Sequence, residues 1–194
     1  TSGELLIDGK NVSEISPKAL YQNVSAVFQR YQSYKMTVAE NVKISEMGKE
    51  GTADGSGNMA VGDSLEKADF PTDSEKLTEG LDTMLGKDFG GIDLSGGQWQ
   101  RAALARLYYQ DGQVLILDEP TSAIDPLHEK ALNDFILRKK RADQTLVIIS
   151  HRLSVAKQAD RVFVLNDGGI AEQGTHEELI REEGSLYGRL WAAQ

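Results

Sequence analysis

The sequence predicts an α/β fold built on a mainly parallel sheet, with a small helical insertion. Three observations carry that expectation. After Ser95, strands and helices alternate in strict order, which favours parallel pairing through helical crossovers. Two short apolar runs, "QVLILDE" (113–119) and "QTLVIIS" (144–150), are bounded by turn residues, as strands buried on both faces are. Between about Met36 and Asp93 no β-branched run occurs, and the segment reads as short helices and loops.

Taken in order, "TSGELLIDGK" reads as a strand entering a turn at Asp8-Gly9. It opens without a Met and is expected to be a cut through a longer polypeptide. In "SPKALYQ", Ser16 is the N-cap and Pro17 the first residue of a helix. "NVSAVFQ" is a strand ending at Gln29. Thr37 and Glu40 form a capping box before a short helix. The Gly-rich stretch 48–63 is expected to be a loose loop, and "DSLEKADF" and "DSEKLTEGL" short helices. "GQWQRAALARLYYQ" is a helix with Trp99, Ala103 and Leu107 on one stripe. A strand ending in Asp118-Glu119 follows. The next helix is capped by Asp125 and opened by Pro126, with Leu127, Ala131 and Phe135 on a shared face. Beyond the strand ending before His151 come the short helix "LSVAKQA" and a hairpin turning at Asn166-Asp167-Gly168. A second capping box, Thr175 with Glu178, starts "EELIREE".

Composition bounds the function. The 194 residues carry a net charge of −9 and are 40% hydrophobic, enough for a core and wrong for a general nucleic-acid binder, which shows a basic face. The absence of cysteine excludes disulfides and thiolate metal sites. No apolar run reaches the ~18 residues of a membrane span. The chain is therefore expected to be a soluble domain that meets a membrane only through a partner.

The chemistry gathers at a few points. "DLSGGQWQR" (93–101) places a hydroxyl and two glycines at a helix start, where free N–H groups and the helix dipole favour an anion. Yet the usual phosphate cradle, GxxxxGK(S/T), occurs nowhere in the 194 residues. Asp118 and Glu119 stand at the carboxyl end of a strand, where α/β sheets bind ligands. There an aspartate can hold Mg²⁺ and a glutamate polarise a water, or the pair can cap the next helix or meet a surface lysine. His151 follows the next strand, where it either donates to a phosphate or simply ends the strand. Gln29 either senses Mg²⁺ or water, or is solvent-exposed.

The order of these elements settles the choice. A strand ending in Gln, then "LSGGQ" (94–98), "VLILDEP" (114–120), "SAID" (122–125) and a strand ending in His closely resemble the nucleotide-binding domain of ATP-binding-cassette (ABC) transporters. The tail "ADRVFVLNDGGIAEQGTHEELI" (159–180) is similar to exporter-type members. The resemblance covers essentially the whole chain. It implies a P-loop NTPase-like core (1–35 and 101–194) with a helical signature subdomain (36–100). It also implies ATP and Mg²⁺ as ligands. Leu94, Ser95, Gly96, Gly97 and Gln98 would be the signature and Asp118 the Mg²⁺-linked aspartate. Glu119 would be the catalytic base, Asp125 part of the D-loop, His151 the switch histidine and Gln29 the Q-loop glutamine.

In that family two domains pair head to tail, as homo- or heterodimers, and the signature of one completes the ATP site of the other. The implied partners are a second such domain and a transmembrane domain, at the cytoplasmic face of the membrane, with no nucleic acid. The alternatives are a non-transport relative in DNA repair, chromosome maintenance or ribosome binding, or a catalytically incompetent interaction module. The stretch between Gln29 and Leu94 lacks the heptads of the chromosome ATPases, and the single acidic cassette differs from the paired, basic-linked ribosomal ones.

Departures from the family pattern set further expectations. Lys87 and Asp88 stand where exporters carry a glutamate, and Trp99 stands where Arg or Gln is commoner; Trp99 is expected to pack inward. In the family the Walker A strand, loop and helix and an adenine-stacking aromatic precede the segment that "TSGELLIDG" resembles, and none of them is found within these 194 residues. Charge-assisted hydrogen bonds net roughly 1.5–3 kcal/mol each, so losing three costs about 5–9 kcal/mol. A micromolar to millimolar site has only about 8 to 4 kcal/mol in all. The 194 residues alone are thus expected to be inactive, with a slot between the strand before His151 and "RVFVL" where the family places its Walker A strand.

Overall fold

A computed structural model describes residues 3–46, 56–120 and 126–193. They fall into two compact units, residues 1–149 and 150–194.

The first unit begins with a hairpin, β1 (Leu6–Ile7) and β2 (Lys10–Asn11). Asp8 and Gly9 turn it with φ of 49° and 75°, the pair of left-handed residues that a two-residue hairpin needs. Helix α1 (Pro17–Asn23) starts as its sequence dictates: Ser16 Oγ accepts from Ala19 N, and Pro17 opens the first turn. Strand β3 (Val24–Val27) runs parallel to β4 (Val114–Asp118), which runs parallel to β5 (Thr145–Ile149), giving the order β3-β4-β5.

Helices α2 (Val38–Lys43), α3 (Ser56–Lys67) and α4 (Gly96–Gln110) form the helical part. Both halves of the Thr37–Glu40 capping box are made. Val38, Val42, Val61, Leu65, Leu85, Leu104 and Leu107 are all but fully buried and join Leu115 and Leu117 of β4 in one core. Each such side chain contributes roughly 1.5–3 kcal/mol. Helix α4 buries Trp99, Ala103 and Leu107, and also Gln100, Leu104 and Tyr108. It is a core helix enclosed on most sides, and Trp99 packs inward as its stripe implies. Burial pushes the Tyr108 hydroxyl up to about 12.

Several sequence expectations are corrected. Residues 56–63 are helical rather than loop, because Val61 and Leu65, one turn apart, are driven fully into the core; residues 48–55 lie outside the described residues. "DSEKLTEGL" forms successive turns, with Leu77 N donating to Ser74 O and Gly80 N to Leu77 O, and only a short 3-10 turn at Gly80–Asp82. Leu77 is its one apolar residue before Gly80, too little to bury one face of a regular helix. In α5 (Pro126–Lys139) Leu132, Asn133 and Ile136 are buried and Phe135 is half-buried, while the side chains of Leu127 and Ala131, expected to share its face, lie outside the described ones. Strand β5 is not buried on both faces. It is an edge strand of its unit, and Val147 and Ile149 stay exposed while Leu146 and Ile148 lean on the core. Strand β3 ends at Val27, two residues before Gln29.

The second unit holds α6 (Leu153–Ala156), an antiparallel hairpin of β6 (Val162–Asn166) and β7 (Gly169–Gly174), α7 (His176–Arg181) and α8 (Leu186–Ala192). Asp167 and Gly168 turn the hairpin with φ of 49° and 79°. The Thr175–Glu178 capping box is complete. Helix α8 has no counterpart in the sequence reading. The Glu172 carboxylate fixes its start by accepting from Leu186 N, Tyr187 N and Ser185 Oγ. Those donors hold Glu172 below the usual carboxylate range. Tyr187 is buried, with its hydroxyl 2.8 Å from His176 Nδ1.

Candidate functional site

The parallel register brings the first group of side chains together. Val27 of β3 lies beside Leu117 of β4, so two residues further on Gln29 reaches Glu119. The Gln29 Nε2 donates to Glu119 Oε2 at 2.8 Å. Asp118 is the last residue of β4 and pairs with Ile149 of β5. Glu119 follows with φ of 46°, in the left-handed region that side-chain-bearing residues rarely occupy. Its N–H donates to the Ile149 carbonyl at 2.9 Å, which fixes that backbone shape.

These residues offer oxygen donors suited to a hard cation. Among the described residues no three or more His, Cys, Asp or Glu gather into a group that could hold a metal by themselves. His151 follows β5 by two residues in the chain and belongs to the second unit. Asp125, with the rest of "SAID", lies outside the described residues.

The second group is at the start of α4. Ser95 is its N-cap, and a capping box joins it to Gln98. Ser95 Oγ accepts from Gln98 N at 3.3 Å, and Ser95 N donates to Gln98 Oε1 at 2.8 Å. The cap uses the serine hydroxyl only as an acceptor. The N–H groups of Gly96 and Gly97, in the first turn, have no carbonyl within the helix to bond. Leu94 packs partly against the core. Beside the cap, Asp93 faces two lysines, Lys35 at 3.8 Å and Lys87 at 3.7 Å.

The two glycines are informative because the chain does not need them. A Cβ built on Gly96 or Gly97 would meet nothing within 4 Å, and neither has a positive φ. By contrast, a Cβ on Gly112 would stand 2.6 Å from Ser25 Oγ, so that glycine serves the packing. Glycine within a helix costs about 1 kcal/mol relative to alanine. The two at this helix start leave the space before them open.

Sequence reasoning missed three residues that join these groups. Tyr31 OH donates to Gly96 O at 2.9 Å. Arg106 donates to Gln32 O, Asn41 O and Asn41 Oδ1 at 2.8–2.9 Å and lies 4.9 Å from the Tyr34 ring centre. Burial lowers the Arg106 pKa. The buried Asn41 donates to Tyr34 O, Met36 O and Thr37 O. The legible signal was a single arginine inside the otherwise apolar run "AALARLYY". The serine–glutamine spacing of the Ser95 cap was legible too.

Comparison with known proteins bears on the family of the chain. The ABC transporter family model matches residues 1–122. The chain is 37% identical to an ATP-dependent lipid A-core flippase of Photobacterium profundum over 193 residues, covering 95% of this chain and 30% of that protein. It is 38% identical to the subtilin transport ATP-binding protein SpaT of Bacillus subtilis over 180 residues, 92% of this chain and 28% of the relative. A solved bacterial Atm1-family ABC exporter with ATP bound superposes with a TM-score of 0.81 at 31% identity, covering 100% of this chain and 32% of that one. The chain therefore spans about 30% of the length of the curated relatives it matches.

Proposed function

The chain belongs to the ABC transporter family, and from that premise we propose that it is the ATP-hydrolysing cassette of an exporter. In this reading it works as one of two cassettes paired head to tail, the second being a copy of this chain or a close relative. The observation that carries the reading is the open glycine pair behind the Ser95 cap, whose clearance serves nothing in the chain's own packing. The exporter and flippase relatives favour transport over repair, chromosome or ribosome roles.

Each residue then has a task. The Ser95 hydroxyl and the Gly96 and Gly97 N–H groups donate to the terminal phosphate of an ATP held by the partner cassette, with Leu94 and Gln98 fixing the loop. Asp118 and Gln29 supply oxygens to a bound Mg²⁺, directly or through water. That ion, when bound, neutralises charge on the phosphates. Glu119 orients and deprotonates the attacking water, and its bond to Gln29 reports on the state of the site. His151 donates to the terminal phosphate. Asp125 serves the dimer contact. Phosphoryl transfer is largely positioning and electrostatics, so these placed donors and acceptors are the catalytic apparatus.

No helix among the described residues is long and apolar enough to cross a membrane. Membrane attachment runs instead through a transmembrane domain, at the cytoplasmic face. A groove of about 280 Å³ beside Gln29, lined by Phe28, Arg30, Tyr34 and Gln110 among others, is the surface we assign to it; Phe28 is 64% exposed there. These 194 residues contain no GxxxxGK(S/T) loop, so assayed alone they are inactive.

The test is Ser95→Arg in the complete protein. It is expected to block ATP-driven pairing of cassettes while leaving nucleotide binding to a single cassette intact. Loss of single-cassette affinity with pairing preserved would contradict the assignment.

A further inference from the structure

The segment between Gln29 and Tyr34 joins the two groups of the site within one chain. At its start Gln29 holds Glu119. Two residues later Tyr31 OH donates to the Gly96 carbonyl at 2.9 Å. One residue further, the Gln32 carbonyl accepts from Arg106 Nη1 at 2.8 Å. The Tyr34 carbonyl accepts from Asn41 Nδ2, and its ring lies under Arg106. The strap thus has one end on the carboxylate at the tip of β4, and its body is pinned to both the start and the middle of α4.

Under the head-to-tail reading, on which this inference rests, the two ends of the strap serve different ATP molecules. Glu119 acts on the chain's own nucleotide, and Gly96 on the partner's. We propose that Tyr31 is a positioning residue that holds the signature glycines in register with the chain's own Gln29–Glu119 pair, coupling one ATP site to the other. It touches no nucleotide and acts through the backbone of Gly96. The glycine has no side chain to lean on anything, and its Cβ position is open space. The Tyr31 hydroxyl is the one side chain of the strap that bonds the Gly96 carbonyl.

The experiment is Tyr31→Phe in the complete protein, with Ser95→Arg alongside. Phenylalanine keeps the ring and removes only the donor. The ATP concentration for half-maximal cassette pairing is expected to rise about fivefold, the weight of one neutral hydrogen bond, as is KM for ATP. Single-cassette nucleotide affinity and kcat at saturating ATP stay within about twofold, and Tm falls by no more than the few degrees that one lost hydrogen bond accounts for. Pairing unchanged in Tyr31→Phe but blocked in Ser95→Arg overturns the Tyr31 role alone. Pairing unchanged in both overturns the head-to-tail reading and this inference with it. A fall in kcat and thermal stability with KM unchanged assigns Tyr31 to folding and also overturns the proposal.

Discussion

Gly97→Ala separates what the fold needs from what the function needs. Gly97 is the second residue of α4, has no positive φ, and its Cβ position has no neighbour within 4 Å. Alanine there should strengthen the helix by about 0.4–1 kcal/mol, through propensity and the lost freedom of the unfolded chain. In hydrogen exchange of the complete protein, α4 amides between residues 100 and 107 should exchange about two- to fivefold more slowly. In the proposed head-to-tail pairing the same methyl would stand in the space taken by the partner's terminal phosphate. Losing one charge-assisted hydrogen bond there, roughly 1.5–3 kcal/mol, should raise the ATP concentration for cassette pairing about 10- to 100-fold. The variant is thus predicted to be more stable and less functional. Faster α4 exchange would show that the glycine serves the fold after all, and unchanged pairing would show that nothing approaches it from outside; either result refutes the reasoning.

Three further outcomes follow from named contacts. Glu119→Gln should abolish ATP turnover in the complete protein while pairing and ATP binding persist; near-normal turnover removes Glu119 from the role of base. Leu104→Ala, at a fully buried position of α4, should destabilise the first unit by about 2–5 kcal/mol, read by denaturant titration; a loss under 1 kcal/mol would mean that the helical core collapses around the gap. Glu172 has a folded pKa lowered from 4.5 by bonds from Tyr187 N, Leu186 N and Ser185 Oγ. Its contribution is therefore present above pH 4.5 and lost as pH falls through the folded value. Protection of the amides of residues 186–191, taken relative to their intrinsic exchange rates at each pH, should fall on acidification below that point, and Glu172→Gln should remove this pH dependence.

Local signals carried the fold far. Ser16-Pro17, Thr37 with Glu40 and Thr175 with Glu178 each start the helix that their side chains cap. Asp8-Gly9 and Asp167-Gly168 each make the turn that their permitted φ values allow. What failed was decided by tertiary context. The Gly-rich stretch becomes helix from Ser56 onwards because Val61 and Leu65 find a core that no local pattern reveals. The run "TLVII" reads as doubly buried, yet Val147 and Ile149 lie on a face left uncovered in this unit. Helix α8 escaped notice because its start is fixed by Glu172, on a strand 13 residues before Ser185. At the site, residue types and order identified both groups of side chains. The strap between them was hidden because Tyr31 and Arg106 act on backbone carbonyls, which leave no mark in a motif.

The central claim is that the Ser95 loop completes a site on another cassette. A mixed dimer of two differently tagged copies in the complete protein tests it directly, one copy carrying Ser95→Arg and the other Glu119→Gln. If the loop acts across the dimer, both lesions fall on the same ATP site. The other site keeps an intact Glu119 and an intact Ser95, so the purified mixed dimer should hydrolyse one ATP per dimer in a single-turnover assay, where neither parent variant hydrolyses any. If the loop acts within its own chain, each site carries one lesion, and a mixed dimer as inactive as its parents would contradict the account.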